Sequence, residues 1–411
     1  MLLSHPMPAG ARVGPDWKMH ALYNFGGSPD GESPNSGAIA PKHRGPYPQI
    51  IGTTQFGGYY GEGTLYGLSK GKTGWDETVL YSFDAYTAAR PVGLSAPEEL
   101  TENSRVFVTG YGFGNSDGSV TVLKPSPSGN WTLLTSYSFQ DTPDGDGPEG
   151  APMEDANGNI YGTTLGGGTH GKGAVYELTP TASGYTERVI YSFKVGTDGH
   201  YPYGNLVDID DTLYGTTSQG GSKGFGTVFK LTPSGSRYTE SVLYSFKGPP
   251  LDGEQPQAGL CAGTGSTLYG TTSLGGYDGG GTVFEIRPSS AKRPEHVIWS
   301  FGGFYHDGIN PVAPVVVNSQ GAVYGTTRAG GKVGVGTLFL LTPKGSAFKE
   351  TLYDFNAYNG GSPVGAPGPD GHGHLYLSAS GNGDHLYGTV AEAKGNAQAT
   401  SCNPGSVTIN G

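Results

Sequence analysis

Polar and apolar positions alternate along this chain in short runs, and no useful window carries helical spacing. The clearest stretch lies between Pro202 and Phe246. It reads Pro-Tyr-Gly-Asn-Leu-Val at 202–207, Leu-Tyr-Gly-Thr-Thr at 213–217, Gly-Thr-Val-Phe-Lys-Leu-Thr-Pro at 226–233 and Tyr-Thr-Glu-Ser-Val-Leu-Tyr-Ser-Phe at 238–246. Each run has strand length, is rich in β-branched and aromatic residues, and is bounded by Gly, Pro, Ser or Asp. Four successive antiparallel strands are predicted.

The unit recurs. An aromatic-x-Phe signature closes every copy, with aromatics at Tyr23, Tyr81, Tyr137, Tyr191, Tyr244, Trp299 and Tyr353 standing 53 to 58 residues apart. The matching phenylalanines are Phe25, Phe83, Phe139, Phe193, Phe246, Phe301 and Phe355. This period, filled with short strands, predicts an all-β, seven-bladed propeller of four-stranded antiparallel blades. The expected boundaries are a tail at 1–16 and one propeller over 17–411. Its blades fall near 34–83, 91–139, 148–193, 202–246, 256–301, 311–355 and 363–411, the last completed by 17–25.

Closure of the ring follows from the two ends. Ala21-Leu22-Tyr23-Asn24-Phe25 has the pattern of a fourth strand with no strands before it. Ser406-Val407-Thr408-Ile409 matches a third strand with no fourth after it. The N-terminal strand is therefore expected to pair beside Val407 and seal the ring, which removes exposed sheet edges. Two residues apart on a strand, the signature aromatics share a face and are expected to pack between blades. Burying each contributes ~1.5–3 kcal/mol.

Two loops repeat as well. Gly-Thr-Thr-x-x-Gly-Gly-x-x-Gly-x-Gly occupies 52–63, 162–173, 215–226, 270–281 and 325–336. Glycines at fixed offsets imply left-handed backbone or close main-chain approach. The second copy, 106–118, keeps the length without Gly-Thr-Thr, and the seventh is expected to be long, from Gly388 through Cys402 to Gly405. Between units stand Asp30-Gly31, Asp144-Gly145, Asp198-Gly199, Asp252-Gly253 and Asp307-Gly308, which are turn signals.

These ordered blocks resemble, over nearly the whole chain, the GloVer-type tandem repeats of bacterial choice-of-anchor proteins. The resemblance implies an exported or surface-displayed propeller, extracellular or at the cell surface, and implies no catalytic residues.

Composition narrows the partners. A net charge of −11 with no Lys/Arg cluster argues against nucleic acid. No apolar stretch approaches the ~18–20 residues of a membrane span, and residues 1–6 have no extended apolar core of a secretion signal. A monomer is expected. The only cysteines, Cys261 and Cys402, fall in different repeats, which argues against a bridge.

Both loop types should emerge on one face, around the mouth of the central channel, a common place for ligands. Residues breaking the repeat there are Tyr59, Tyr60, Phe113, His170, Phe225 and Tyr277, then Asp146, His200, Tyr201, Tyr305 and His306. Aromatic rings near carboxylates suit carbohydrate; the alternative is that they pack against neighbouring loops. Asp146, His200 and His306 are the catalytic candidates, although histidines so widely spaced are ordinary surface residues. Asp144 and Asp146 offer oxygen ligands for calcium, without an EF-hand series. Residues 220–224 lack the Gly-Lys-Ser/Thr and following helix of a phosphate loop, and no Gly-x-Ser-x-Gly is present. No other cofactor is expected.

The leading expectation is thus a non-catalytic extracytoplasmic binding or scaffold propeller, with a glycan, another surface polymer or a surface protein as partner. The alternatives are a polysaccharide lyase or glycoside hydrolase working at the channel mouth, and a purely structural surface module.

Overall fold

The computed structural model describes residues 17–42, 45–112, 117–235, 237–290, 295–304, 306–381, 387–397, 399–400 and 402. Among these there is no α-helix, only a 3-10 turn at Thr264–Ser266. Seven four-stranded antiparallel blades surround one axis. Blade 4 is the simplest: Gly199–Ile209, Thr212–Gly220, Thr227–Ser234 and Arg237–Ser245 lie in sequence order from the channel outward.

The N-terminal strand Lys18–Asn24 completes blade 7, as the sequence implied, but its partner differs from the expected one. It pairs antiparallel with Thr389–Ala397, placing Tyr23 opposite Val390. The third strand of blade 7 is therefore Thr389–Ala397, not the segment around Val407, and residues 403–411 lie outside the described ones. The loop before it is correspondingly short, ending at Gly388.

Closure is atom for atom the same as any other blade junction. In blade 1 the Phe83 amide donates to the Gly63 carbonyl at 3.0 Å; at the seam the Phe25 amide donates to Gly388 at 3.1 Å. Gly63 has φ +103°, and a Cβ there would meet Pro91 of the next blade at 2.6 Å. Gly388, at φ +96°, stands in the same relation to Pro34. The last glycine of each loop and the proline opening the next blade are thus one interlock.

The repeated threonines and aromatics are explained by the same packing. In blades 3, 4 and 5 the first threonine hydroxyl donates to the inner segment of the following blade, as Thr216 does to Ala258 O at 2.8 Å. The second ties strands two and three, as Thr217 does with Thr227 at 2.7 Å. The seven signature phenylalanines are all buried. Phe193 meets Phe229 of the next blade at 5.0 Å, and the Tyr191 hydroxyl donates to Asp198 at 3.0 Å.

Cys261 and Cys402 form a disulfide, contrary to the sequence expectation. Beyond blade 7 the chain runs back across the ring, where Ala399–Thr400 pairs with the inner strand Val316–Asn318 of blade 6. That path carries Cys402 to Cys261 on the inner strand of blade 5. Linear distance, 141 residues, gave no hint of this proximity.

Candidate functional site

The inner strands wall a channel of about 660 Å³ along the axis. The residue after each blade-opening proline lines it, because its neighbours on either side are held in the blade. Around the ring this position is Asn35, Val92, Glu149, Tyr203, Gln257, Val312 and Val364. Blades 3 to 5 therefore contribute a carboxyl, a phenol and an amide, while blades 2, 6 and 7 contribute valines. One level nearer the loops, on strand two, Gln55 and Arg328 also line the wall.

Charges along this arc act on its tyrosines. Burial pushes the Glu149 carboxyl up to about 8, so it is largely protonated at neutral pH. Burial raises the Tyr203 phenol first; Glu149 and Tyr111 raise it further, and the Arg328 charge opposes them. Tyr111 is raised by burial and then by Glu149 and Asp146. The Arg328 guanidinium has no ion pair or hydrogen bond among the described residues, only its backbone amide being engaged, by Asn310 O.

The rim of this mouth carries tyrosines. Tyr59, Tyr60, Tyr86, Tyr111, Tyr277, Tyr358 and Tyr387 are exposed, and each belongs to a strand 2–3 loop or an inter-blade loop. Exposure reaches 83% at Tyr59, 84% at Tyr86 and 78% at Tyr358. The Tyr59 and Tyr60 rings meet edge to face at 4.9 Å. Six of the seven come from blade 7, blade 1, blade 2 and the loops joining blade 6 through to them, so they form an arc.

The residues singled out from sequence have varied fates. Tyr59, Tyr60 and Tyr277 stand free on the rim. Phe225 turns inward onto the core between blades 4 and 5, its ring against Gly248. Tyr201 is half-buried, accepting from Lys172 Nζ at 2.9 Å. His170 is exposed on the blade 3 loop. Phe113 and Tyr305 lie outside the described residues.

Asp146, His200 and His306 stand at the starts of blades 3, 4 and 6. Asp146 is raised by burial and by Asp117 and Asp141. His200 is lowered by burial and Lys172. These surroundings do not link the two. Asp144 accepts from Tyr137 Oη, Gln140 N and Gly145 N, at 3.0, 3.1 and 2.7 Å, the same set of donors that Asp252 draws on in its own turn, while Asp198 accepts from the first two equivalents, Tyr191 Oη and Lys194 N. Among the described residues, no three His, Cys, Asp or Glu side chains converge as metal ligands.

Sequence reading passed over Glu149, Tyr203, Gln257 and Arg328, because it searched loops alone. The signal was present: a position next to an otherwise regular proline that takes five residue types in seven blades.

No helix among the described residues is long and apolar enough to cross a membrane, which says nothing of strands. No curated protein matches the chain in sequence. Among solved structures, a putative 6-phosphogluconolactonase from Bacteroides uniformis is similar at 12% identity and TM-score 0.52, over 80% of this chain and 86% of that one. A second putative 6-phosphogluconolactonase, from Bacteroides fragilis, gives 14% identity and TM-score 0.50 over 84% and 88%. A puromycin-hydrolysing peptidase from Mycobacterium tuberculosis gives 12% and 0.53, over 95% of this chain but 58% of its own. At such identities the likeness concerns the fold alone. The family model described as the Gloeobacter/Verrucomicrobia repeat matches residues 100–293 and 239–402. With those matches spanning well over half its length, the chain belongs to the Gloeobacter/Verrucomicrobia repeat family.

Proposed function

We propose that the protein is a non-catalytic, extracytoplasmic binding propeller whose loop-bearing face takes a glycan or a similar surface polymer. The observation that carries this is the arc of exposed tyrosines confined to one face. Elsewhere in the repeat, tyrosine is at least partly buried, and Tyr23, Tyr137, Tyr191 and Tyr244 each donate to the aspartate of the following turn. A large amphipathic ring left in water on a loop is a cost that a ligand surface explains. Sugar rings present flat apolar faces that stack on such phenols, while their hydroxyls reach the neighbouring carboxylates. The Cys261–Cys402 bridge supports an oxidising compartment.

A second reading has its own observation. Glu149, protonated near neutrality and beside Tyr203, has the acidity that a general acid needs. That would make the channel mouth the site of a lyase or glycoside hydrolase. A glycan array combined with a reducing-end and unsaturated-product assay separates the two. Binding without product supports the binding module. Product formation abolished by Glu149→Gln replaces it with the enzyme. Silence in both assays refutes both and leaves a structural module.

A further inference from the structure

We infer that the upper channel is a subsite for a carboxylate-bearing sugar, a uronate unit of the polymer, with Arg328 as its specificity-determining residue. The inference rests on the glycan reading above and deepens it.

The channel is divided lengthwise. Glu149, Tyr203 and Gln257 form a continuous polar arc from blades 3 to 5, and Val312, Val364 and Val92 give an apolar side from blades 6, 7 and 2 that Asn35 of blade 1 interrupts. A sugar ring has this division too, with C–H faces and an equator of hydroxyls. Gln257 and Asn35 present both donors and acceptors, and Tyr203 a phenol. A neutral hexose would be satisfied by these alone.

Arg328 is what a neutral sugar does not need. The equivalent position is Gln55 in blade 1, Leu165 in blade 3, and Ser218, Ser273 and Ser380 in blades 4, 5 and 7. Nothing in the repeat therefore requires a cation there. Its guanidinium lines the channel, acts on Tyr203 across it, and lacks a protein anion among the described residues. A planar fork of donors facing a cavity fits a carboxylate in bidentate fashion. Glu149, three blades away around the ring, does not compete for it: burial alone raises its carboxyl, and the Arg328 charge does not act on it. Carried in neutral form, Glu149 adds no repulsion and donates its proton to a ligand oxygen.

The channel volume sets the rest. A channel of about 660 Å³ holds one or two sugar units rather than a folded polymer. The tyrosine arc would then support the following units outside the mouth.

Isothermal titration with short galacturonate or glucuronate oligomers, against neutral galactose or glucose oligomers of equal length, tests this. The intact protein should bind the acidic series about tenfold or more tightly than the neutral one, and added salt should weaken only the acidic series. Arg328→Gln should bring the acidic series down to the neutral level and leave neutral binding unchanged. Arg328 is exposed, so folding is checked simply by an unchanged Tm. Equal affinity for both series, or no effect of Arg328→Gln, overturns the subsite while the glycan reading stands. Absence of binding in both series overturns the glycan reading and the subsite together.

Discussion

The two faces of the ring are made by one repeat and yet differ in chemistry. Of fourteen large apolar side chains exposed among the described residues, twelve lie at the loop-bearing face; Leu133 and Leu134, on the outer strand of blade 2, are the exceptions. The opposite face is formed by hairpins such as Lys70 to Gly74 and Lys344 to Ala347, which are polar and small. What repeats therefore builds the blade, and what varies at one rim is free to meet a ligand. The opposite face instead carries the structural fastening, the return of the chain from Ala397 to Cys402.

Breaking the seam tests that division most severely. Deleting residues 1–25 removes the outer strand of blade 7, the buried Phe25, and Trp17, which stacks on Tyr324 and Tyr353 at 6.2 and 5.8 Å. It also exposes a sheet edge. The melting temperature should fall by on the order of 10 °C, with aggregation. An unchanged melt by calorimetry means the N-terminal strand does not close the ring.

Removing the fastening is a smaller perturbation. Cys402→Ser should cost about 2–4 kcal/mol, because the bridge restrains a long loop in the unfolded chain. Glycan binding should survive, since the rim is untouched. Denaturant unfolding reads the first and titration the second; loss of affinity without loss of stability would place the ligand against this tail.

Between the faces lies a set of carboxyls that serves neither. Glu77, Glu187, Glu240, Glu295 and Glu350 each sit on a fourth strand against the preceding blade's Asp-Gly turn. Burial, then the facing aspartate, raises them: Glu187, Glu240 and Glu295 to about 7, Glu77 to about 8 and Glu350 to about 9. Their folded values exceed the unfolded carboxyl value near ~4.3, so folding takes up protons. The stabilisation is complete below that unfolded value and is lost as pH rises through 7 to 9. Tm should therefore drop by several degrees from pH 5 to pH 9. Glu350→Gln, which holds the most buried of them neutral, should flatten the upper part of that profile. A Tm that climbs with pH contradicts the assignment.

Legibility in the sequence follows the same line between repeated and singular features. Thr54, Thr64, Gly63 and Pro91 recur because each junction needs the same contacts, so the fold was readable from any one copy. Blade 7 was harder. Ala391 and Ala393 stand where most other third strands carry Phe or Tyr and then Leu or Ile, and Trp17 from the far end of the chain packs against that cluster. A strand whose bulk is supplied by a distant residue loses its apolar signature, which is why Val407 drew attention instead. The channel residues were hidden differently. Glu149 and Tyr203 sit within a strand, where an orientation toward the axis is set only by ring closure.

The account turns on which face meets the polymer, and affinity electrophoresis through a polysaccharide-containing gel measures that directly. The variant Tyr59→Ala, Tyr60→Ala, Tyr86→Ala should lose retardation, with binding about tenfold or more weaker, while its stability changes by less than about 1 kcal/mol. A matched variant of the opposite face, Lys70→Ala with Lys344→Ala, should migrate like the parent protein. Retardation kept by the tyrosine variant and lost by the lysine variant would contradict the account.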